Sequence, residues 1–367
     1  MWCVDMTTAW QDMKAIVVDA TGPALTTEER DLFASEKPAG FILFRRNCVS
    51  RQQVKELVAS VREVTGKPDL PVLIDQEGGS VARLKAPEWR EYPAAHIFGE
   101  LAACSADTGG EAARLNAYLM ALDLADMGIT VNCAPVVDVP APDCHEFLSG
   151  SRTYSDSPDM VGQLGEAVCR GLLAGGVTPV IKHIPGHGRA KVDSHLALPV
   201  VDVSRDILAE TDFKPFKYLA HTDMKTALWA MAAHVVFSAL DPDSAATVSA
   251  RIVDDVIRGH MGFDGVLIAD DISMKALGGT VESRVAATMA AGMDLTMICN
   301  APFEDRVTAL AACPRVSDAA AKRLAAAEQQ RTARPATGND NGGSFNESNR
   351  DELHRKLAQM LGNRKTG

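Results

Sequence analysis

Eight short apolar runs set what this chain can fold into: KAIVVDA (14–20), GFILFR (40–45), PVLID (71–75), ITVNCAPVVDV (129–139), TPVIKH (178–183), ALWAMAAHVVF (227–237), GVLIAD (265–270) and DLTMI (294–298). Each is apolar on both faces, the pattern of strands in a parallel sheet covered on both sides. Helix-period segments lie between them. TTEERDLF carries a capping box at Thr26 and Glu29, and SRQQVKELVASVREV starts on Ser50 and places Val54, Leu57, Val58 and Val61 on one face. Further helices are expected at EAARLNAYLMALDLADMG, SPDMVGQLGEAVCRGLLAGG, SRDILAETDFKPFKYLA, ARIVDDVIRGHMG, VESRVAATMAAG and FEDRVTALAA. Eight strands alternating with eight helices describe an α/β fold, a single (β/α)8 TIM-type barrel; an open doubly wound sheet is the alternative.

Beyond residue 330 the pattern ends. The polar segment RTARPATGNDNGGSFNESNRDE cannot bury enough to order itself, while RDELHRKLAQMLGN puts Leu353, Leu357, Met360 and Leu361 on one stripe. The expected organisation is an N-terminal extension at 1–12, a catalytic barrel at 13–333, a flexible linker at 334–350 and a short amphipathic tail helix at 351–367. That helix could dock on the barrel or on a partner.

Charge and cysteine usage exclude several classes. With 37 Lys+Arg against 48 Asp+Glu the chain has a net charge of -11 and no basic run, so a nucleic-acid partner is not expected. Its eight cysteines form no C-x-x-C pair and sit mostly in apolar runs, as small buried hydrophobes of a reducing compartment do. The start carries Asp5 and Asp12 where a secretory signal needs positive charge, and no run reaches the roughly 18 residues of a membrane span. A cytoplasmic monomer with no membrane contact is the expectation.

Polar residues fall at the ends of the apolar runs. Asp75 ends the third, Asp138 the fourth, Lys182 and His183 the fifth, and Asp270 and Asp271 the seventh, while His234 lies within the sixth. In a barrel these positions converge on one rim, where active sites are built. From the fifth run hangs KHIPGHGRAKVDSH, with Gly186 and Gly188 for sharp turns and Pro185 to stiffen its start. Asp193, one residue away from His195, can orient that imidazole for proton transfer. A zinc site of His183, His187, Asp193 and His195 is the competing reading, disfavoured because the spacing matches no compact ligand pattern and Lys182 would repel a cation.

The motifs GFILFRRN, DQEGG followed by Arg83, APVVDV, KHIPGHG, DSH, AHVVFSALDP and GFDGVLIADDISM resemble, in order and approximate spacing over about residues 13–300, those of the bacterial β-N-acetylglucosaminidases of glycoside hydrolase family 3, single-domain type. The resemblance implies Asp270 as nucleophile, His195 as general acid/base supported by Asp193, and Asp75, Arg83, Arg152, Lys182 and His183 as the residues that hold N-acetylglucosamine. Four departures bear on leaving-group contacts: Ala269 replaces a serine, Ile184 a phenylalanine, Ser80 an arginine, and the residue before Arg152 in GSRTY is not the usual glutamate.

The expected function is therefore a retaining exo-β-N-acetylglucosaminidase that removes terminal N-acetylglucosamine from cell-wall muropeptide fragments during peptidoglycan recycling, through a covalent glycosyl-aspartate. No metal and no organic cofactor is expected; the partner is a small carbohydrate, an N-acetylglucosaminyl anhydro-muropeptide or a chito-oligosaccharide. In the loop, His183 is expected to contact sugar, His187 mainly to stabilise the loop, and His195 to transfer the proton. Rival readings are a phosphorylase, because a histidine acid does not repel phosphate, a non-catalytic sugar-binding protein on the same fold, and a zinc-dependent hydrolase.

Overall fold

The computed structural model describes residues 8–145, 150–192, 197–333 and 349–362. Eight parallel strands close into a barrel: β1 (Lys14–Val18), β2 (Pro38–Leu43), β3 (Val72–Ile74), β4 (Val131–Asn132), β5 (Thr178–Ile184), β6 (Trp229–Ala232), β7 (Val266–Asp271) and β8 (Leu295–Ile298). Each pairs with its neighbours in sequence, and β1 closes the ring on β8 through Ile16 opposite Thr296 and on β2 through Val17 opposite Gly40. All six residues of β2 and all seven of β5 are buried, as a sheet covered on both faces requires. The open-sheet alternative is thereby excluded.

The helices return each strand to the next. Thr26 and Glu29 form the reciprocal capping box of the Thr27–Glu36 helix. Ser50 caps Arg51–Thr65, whose Val54, Leu57, Val58 and Val61 face the barrel, and Gly66 ends that helix at φ 69°. The Ile252–His260 segment is helical, wound as a π-helix.

Several elements differ from the sequence expectation. The run at 204–220 is two helices, Arg205–Glu210 and Lys214–Ala220, because Pro215 has no N–H to give the Thr211 carbonyl and its ring would clash with that carbonyl in a continuous helix. The long fourth run is regular only at Val131–Asn132. Past it, Pro135 has no N–H to give, but its carbonyl accepts from the Lys182 amide at 3.1 Å and the Val137 amide donates to the Lys182 carbonyl at 2.8 Å, so the chain still follows β5. The sixth run leaves the barrel after Ala232, and Val236–Phe237 joins a small sheet with Val200–Val201 and Asp241–Ala245. Two helices of ten residues or more were not foreseen, Ala95–Cys104 and Asp318–Ala333.

Asp318–Ala333 lies across the end of the barrel where the strands begin. Arg323 bridges Asp294 at 2.9 Å and Asp264 at 3.0 Å, each just ahead of a strand, and Arg331 donates to the Gly176 carbonyl, ahead of β5, at 2.9 Å. The tail helix, Arg350–Leu361, docks on the barrel's own Ala106–Ala125 helix, burying Leu357 and Leu361. Arg350 pairs with Asp126 at 2.9 Å and Lys356 with Glu111 at 3.1 Å. Most of the expected linker lies outside the described residues.

Candidate active site

At the opposite end of the barrel, where the strands finish, a cavity of about 340 Å³ is lined by side chains from or just beyond β2, β3, β5, β6, β7 and β8, with Arg152 from the loop after β4. The site residues expected from sequence that the structure describes, Asp75, Arg83, Arg152, Lys182, His183 and Asp270, all line it. Asp193 and His195 lie outside the described residues.

Lys182 organises one wall. Its ammonium, 3 % exposed, donates to Asp75 at 2.8 Å and to Glu77 at 2.7 Å. Arg83 holds the second oxygen of Asp75 at 3.0 Å, and Arg152 grips Glu77 through two bonds of 2.8 and 2.9 Å. Burial opposes ionisation of Asp75, but Lys182 and Arg83 outweigh it and hold the carboxyl well below the usual carboxylate range. Glu77 is drawn down in the same way, to about 2, by Arg152 and Lys182. Burial alone would lower the Lys182 ammonium, yet the two carboxylates keep it firmly protonated. The result is an alternating ladder of fixed charges suited to polarising sugar hydroxyls.

Glu77 and Arg83 are placed by a tight hairpin in which Gln76–Gly78 pairs with Val81–Ala82. Gly78 sits at φ 100°, and a Cβ there would lie 2.3 Å from the Pro93 carbonyl, so only glycine fits. Gln76 closes the hairpin by accepting from the amides of Arg83 and Leu84 at 2.9 and 3.0 Å.

The loop after β5 is tied to Asp138. One carboxylate oxygen of this fully buried residue accepts from the amides of His183 (3.1 Å) and His187 (2.7 Å); the other accepts from His183 Nδ1 at 2.7 Å, leaving Nε2 for the cavity. At Gly188 a Cβ would fall 1.9 Å from the Val139 carbonyl, so the loop lies close against the strand-four segment.

Asp270, next to last in β7, stands at the cavity wall. Burial works against its charge, but His234, His183, the Asp271 amide (2.8 Å) and Lys182 together lower its pKa below the ordinary carboxylate value. Asp271 instead braces the strand end. It accepts from the Ser273 amide and hydroxyl at 2.9 and 2.7 Å and from the Cys299 amide at 3.1 Å, and burial lifts it to about 6. His234 is held behind the strand, with Nε2 donating to the Asp271 carbonyl at 3.0 Å and Nδ1 meeting the Thr247 hydroxyl at 2.7 Å. Burial favours its neutral form. Beside an ionised carboxylate with a polar ladder on the facing wall, an acetal carbon could be attacked while its substituents are held.

Sequence reasoning missed Glu77 as a site residue. Its signal was present: residues two apart in an extended segment share a face, so the position after next from Asp75 points the same way. Phe44, Met231, Met274 and Asn300, which also line the cavity, carry no such mark.

Comparison with known proteins agrees with this architecture. The family described as "Glycosyl hydrolase family 3 N terminal domain" matches residues 8–331. A curated beta-hexosaminidase of Pseudomonas aeruginosa is 35% identical over 315 residues, covering 84% of this chain and 89% of the relative. A beta-hexosaminidase of Stenotrophomonas maltophilia is 34% identical over 294 residues, covering 79% and 84%. Among solved structures, NagZ from Neisseria gonorrhoeae in complex with N-trifluoroacetyl-D-glucosamine superposes with a TM-score of 0.81 at 27% identity, over 95% of this chain and 98% of that one. A family 3 β-N-acetylglucosaminidase from Paenibacillus sp. gives 0.80 at 28% identity, over 98% of this chain and 69% of that one. The chain belongs to glycosyl hydrolase family 3 and is a glycoside hydrolase on a single (β/α)8 barrel.

Proposed function

We propose that the protein is a retaining exo-β-N-acetylglucosaminidase that removes terminal N-acetylglucosamine from muropeptide fragments in the cytoplasm, as part of peptidoglycan recycling. The observation that carries this reading is the ionised Asp270 at the end of β7, facing the Asp75, Lys182, Glu77 and Arg152 ladder across a cavity near the small end of the ~300–1,000 Å³ range of ligand sites. A cavity of that size suits one terminal sugar rather than the interior of a polymer.

In the first step Asp270 attacks the anomeric carbon as the bond to the leaving oxygen breaks, and His195, supported by Asp193, gives that oxygen its proton. A covalent glycosyl-aspartate results. In the second step His195 takes a proton from water, which attacks the same carbon and frees Asp270, so configuration is retained overall. Asp75, Arg83, Arg152, Lys182 and His183 hold the sugar through both steps. Buried thiols at Cys48, Cys133, Cys169, Cys299 and Cys313 suit a reducing compartment.

The test is turnover of a chromogenic N-acetylglucosaminide, followed by Asp270→Ala and by mass-spectrometric mapping of a fluorinated substrate analogue. Wild-type turnover, a folded and nearly inactive variant, and a label on Asp270 are expected. A label on Asp271 or Asp75 would refute the assignment. Running the assay with and without inorganic phosphate separates hydrolysis from phosphorolysis by the product formed.

A further inference from the structure

His187 is the one histidine of the cavity wall whose ring has no hydrogen-bond partner among the described residues: neither Nδ1 nor Nε2 is satisfied, although the residue is only 4 % exposed. From sequence, His187 is expected mainly to stabilise the loop, and the contacts that tie it there are made by its backbone. The amide donates to Asp138 at 2.7 Å and the carbonyl accepts from the Ala190 amide at 3.0 Å. Gly186 and Gly188, both packed too tightly for a Cβ, fix the segment on either side, so the ring is held by its chain rather than by its nitrogens. Its centroid stands 5.5 Å from that of His183. Buried polar atoms in a native fold almost always find partners, and a rigid ring kept without them is explained when the partner arrives with the ligand.

We propose that His187 is a further substrate-binding residue, whose two ring nitrogens serve the 2-acetamido group of the bound sugar. This rests on the N-acetylglucosaminidase reading above. Two arguments select the acetamido group. First, His187 lines the same cavity as Asp270 and Arg152, which puts its ring in the pocket where C1 and C2 of a sugar attacked by Asp270 would lie. Second, burial and the neighbouring His183 push the imidazole down to about 4, so at neutral pH it carries one N–H and one lone pair. The other polar side chains of the ladder are fixed charges suited to hydroxyls. A neutral group that donates and accepts matches a neutral amide, which offers one C=O and one N–H.

The experiment measures binding of N-acetylglucosamine and of glucose, which differ at C2, to the wild type and to His187→Phe, which keeps a flat ring and loses both nitrogens. The wild type should prefer N-acetylglucosamine. In His187→Phe its Kd should rise about tenfold to a hundredfold while the Kd for glucose stays unchanged, and His187→Gln, which keeps a donor and an acceptor, should recover part of the loss. Nitrogen-15 resonances of the His187 ring in the wild-type protein should shift on adding N-acetylglucosamine and not on adding glucose, a readout that stands even if a variant folds poorly. Equal weakening for both sugars would assign His187 a structural role, and no weakening, or silent ring resonances, would equally overturn the proposal. Wild-type turnover of the chromogenic N-acetylglucosaminide keeps the two readings apart: without it the function falls, and with it a negative His187 result removes this inference alone.

Discussion

Glu77 shows what one buried carboxylate does here. It is the joint between Arg152, from the loop after β4, and Lys182, from β5, which would repel each other without it. Glu77→Gln should raise KM about tenfold or more with kcat changed only a fewfold, because the sugar-holding cations lose their shared anchor while Asp270 is untouched. The same residue links stability to pH. Its carboxyl is shifted from 4.5 down to about 2 in the folded protein, so its contribution is fully present above pH 4.5 and is lost as pH falls toward 2. Urea unfolding between pH 5 and 2.5 should therefore show falling stability, on the order of a few kcal/mol in total, with a shallower slope in Glu77→Gln. Asp75, Lys182, His183 and Asp270 were legible because a charge closing an apolar run is conspicuous; Glu77 sits in a short polar hairpin, where its two-residue spacing from Asp75 is the one mark it carries. Two departures from the family pattern also gain sense only in three dimensions. Ser80 and Ser151, far apart in sequence, bring their hydroxyls to 3.3 Å, so the expected arginine and glutamate are replaced together at one spot on the rim.

Among the elements, the helix across the strand-entry end should behave as a clamp whose strength is concentrated in one residue. Asp294, 4 % exposed, accepts from the Leu267 amide at 2.8 Å, from Arg258 at 2.8 Å and from Arg323 at 2.9 Å. Asp294→Ala would leave two partly buried guanidinium groups and the Leu267 amide without this partner and should cost about 3 kcal/mol in chemical or thermal unfolding. Asp264→Ala removes an exposed partner of the same Arg323 and should cost less than about 1 kcal/mol. Equal costs would mean that the clamp's strength is not concentrated at Asp294. All eight strands were readable because burial on both faces leaves an unmistakable run. This helix was not: its inner face is Ala320, Ala321, Leu324 and Ala327, and alanine contrasts too little with its surroundings to show a period. The split at 204–220 was missed for the opposite reason, a convincing helical pattern overriding the proline inside it.

For the whole molecule, the tail helix and the cavity are separate concerns. The tail reaches the barrel through the Ala106–Ala125 helix, and among the described residues none that lines the cavity comes from it. Truncation after residue 333 should leave kcat/KM for a small aryl substrate within about twofold, while losing the burial of Leu357 and Leu361 and the Arg350 and Lys356 ion pairs lowers Tm by about 2–5 °C. Activity and melting temperature of the truncated protein decide this; a large activity loss would show that the docked helix supports the site. The sequence offered the stripe on the tail but not its destination, since an amphipathic helix fits any apolar surface of the right width.

The docked tail also bears on descent. The Ala106–Ala125 helix is buried over most of its length, between the barrel on one side and the tail on the other. A lineage that lost the tail would inherit an apolar strip open to water, a patch that invites self-association. Deletion of the tail and the appearance of polar side chains on that strip should accordingly be found in the same branches of the family tree, each change neutral only in the company of the other.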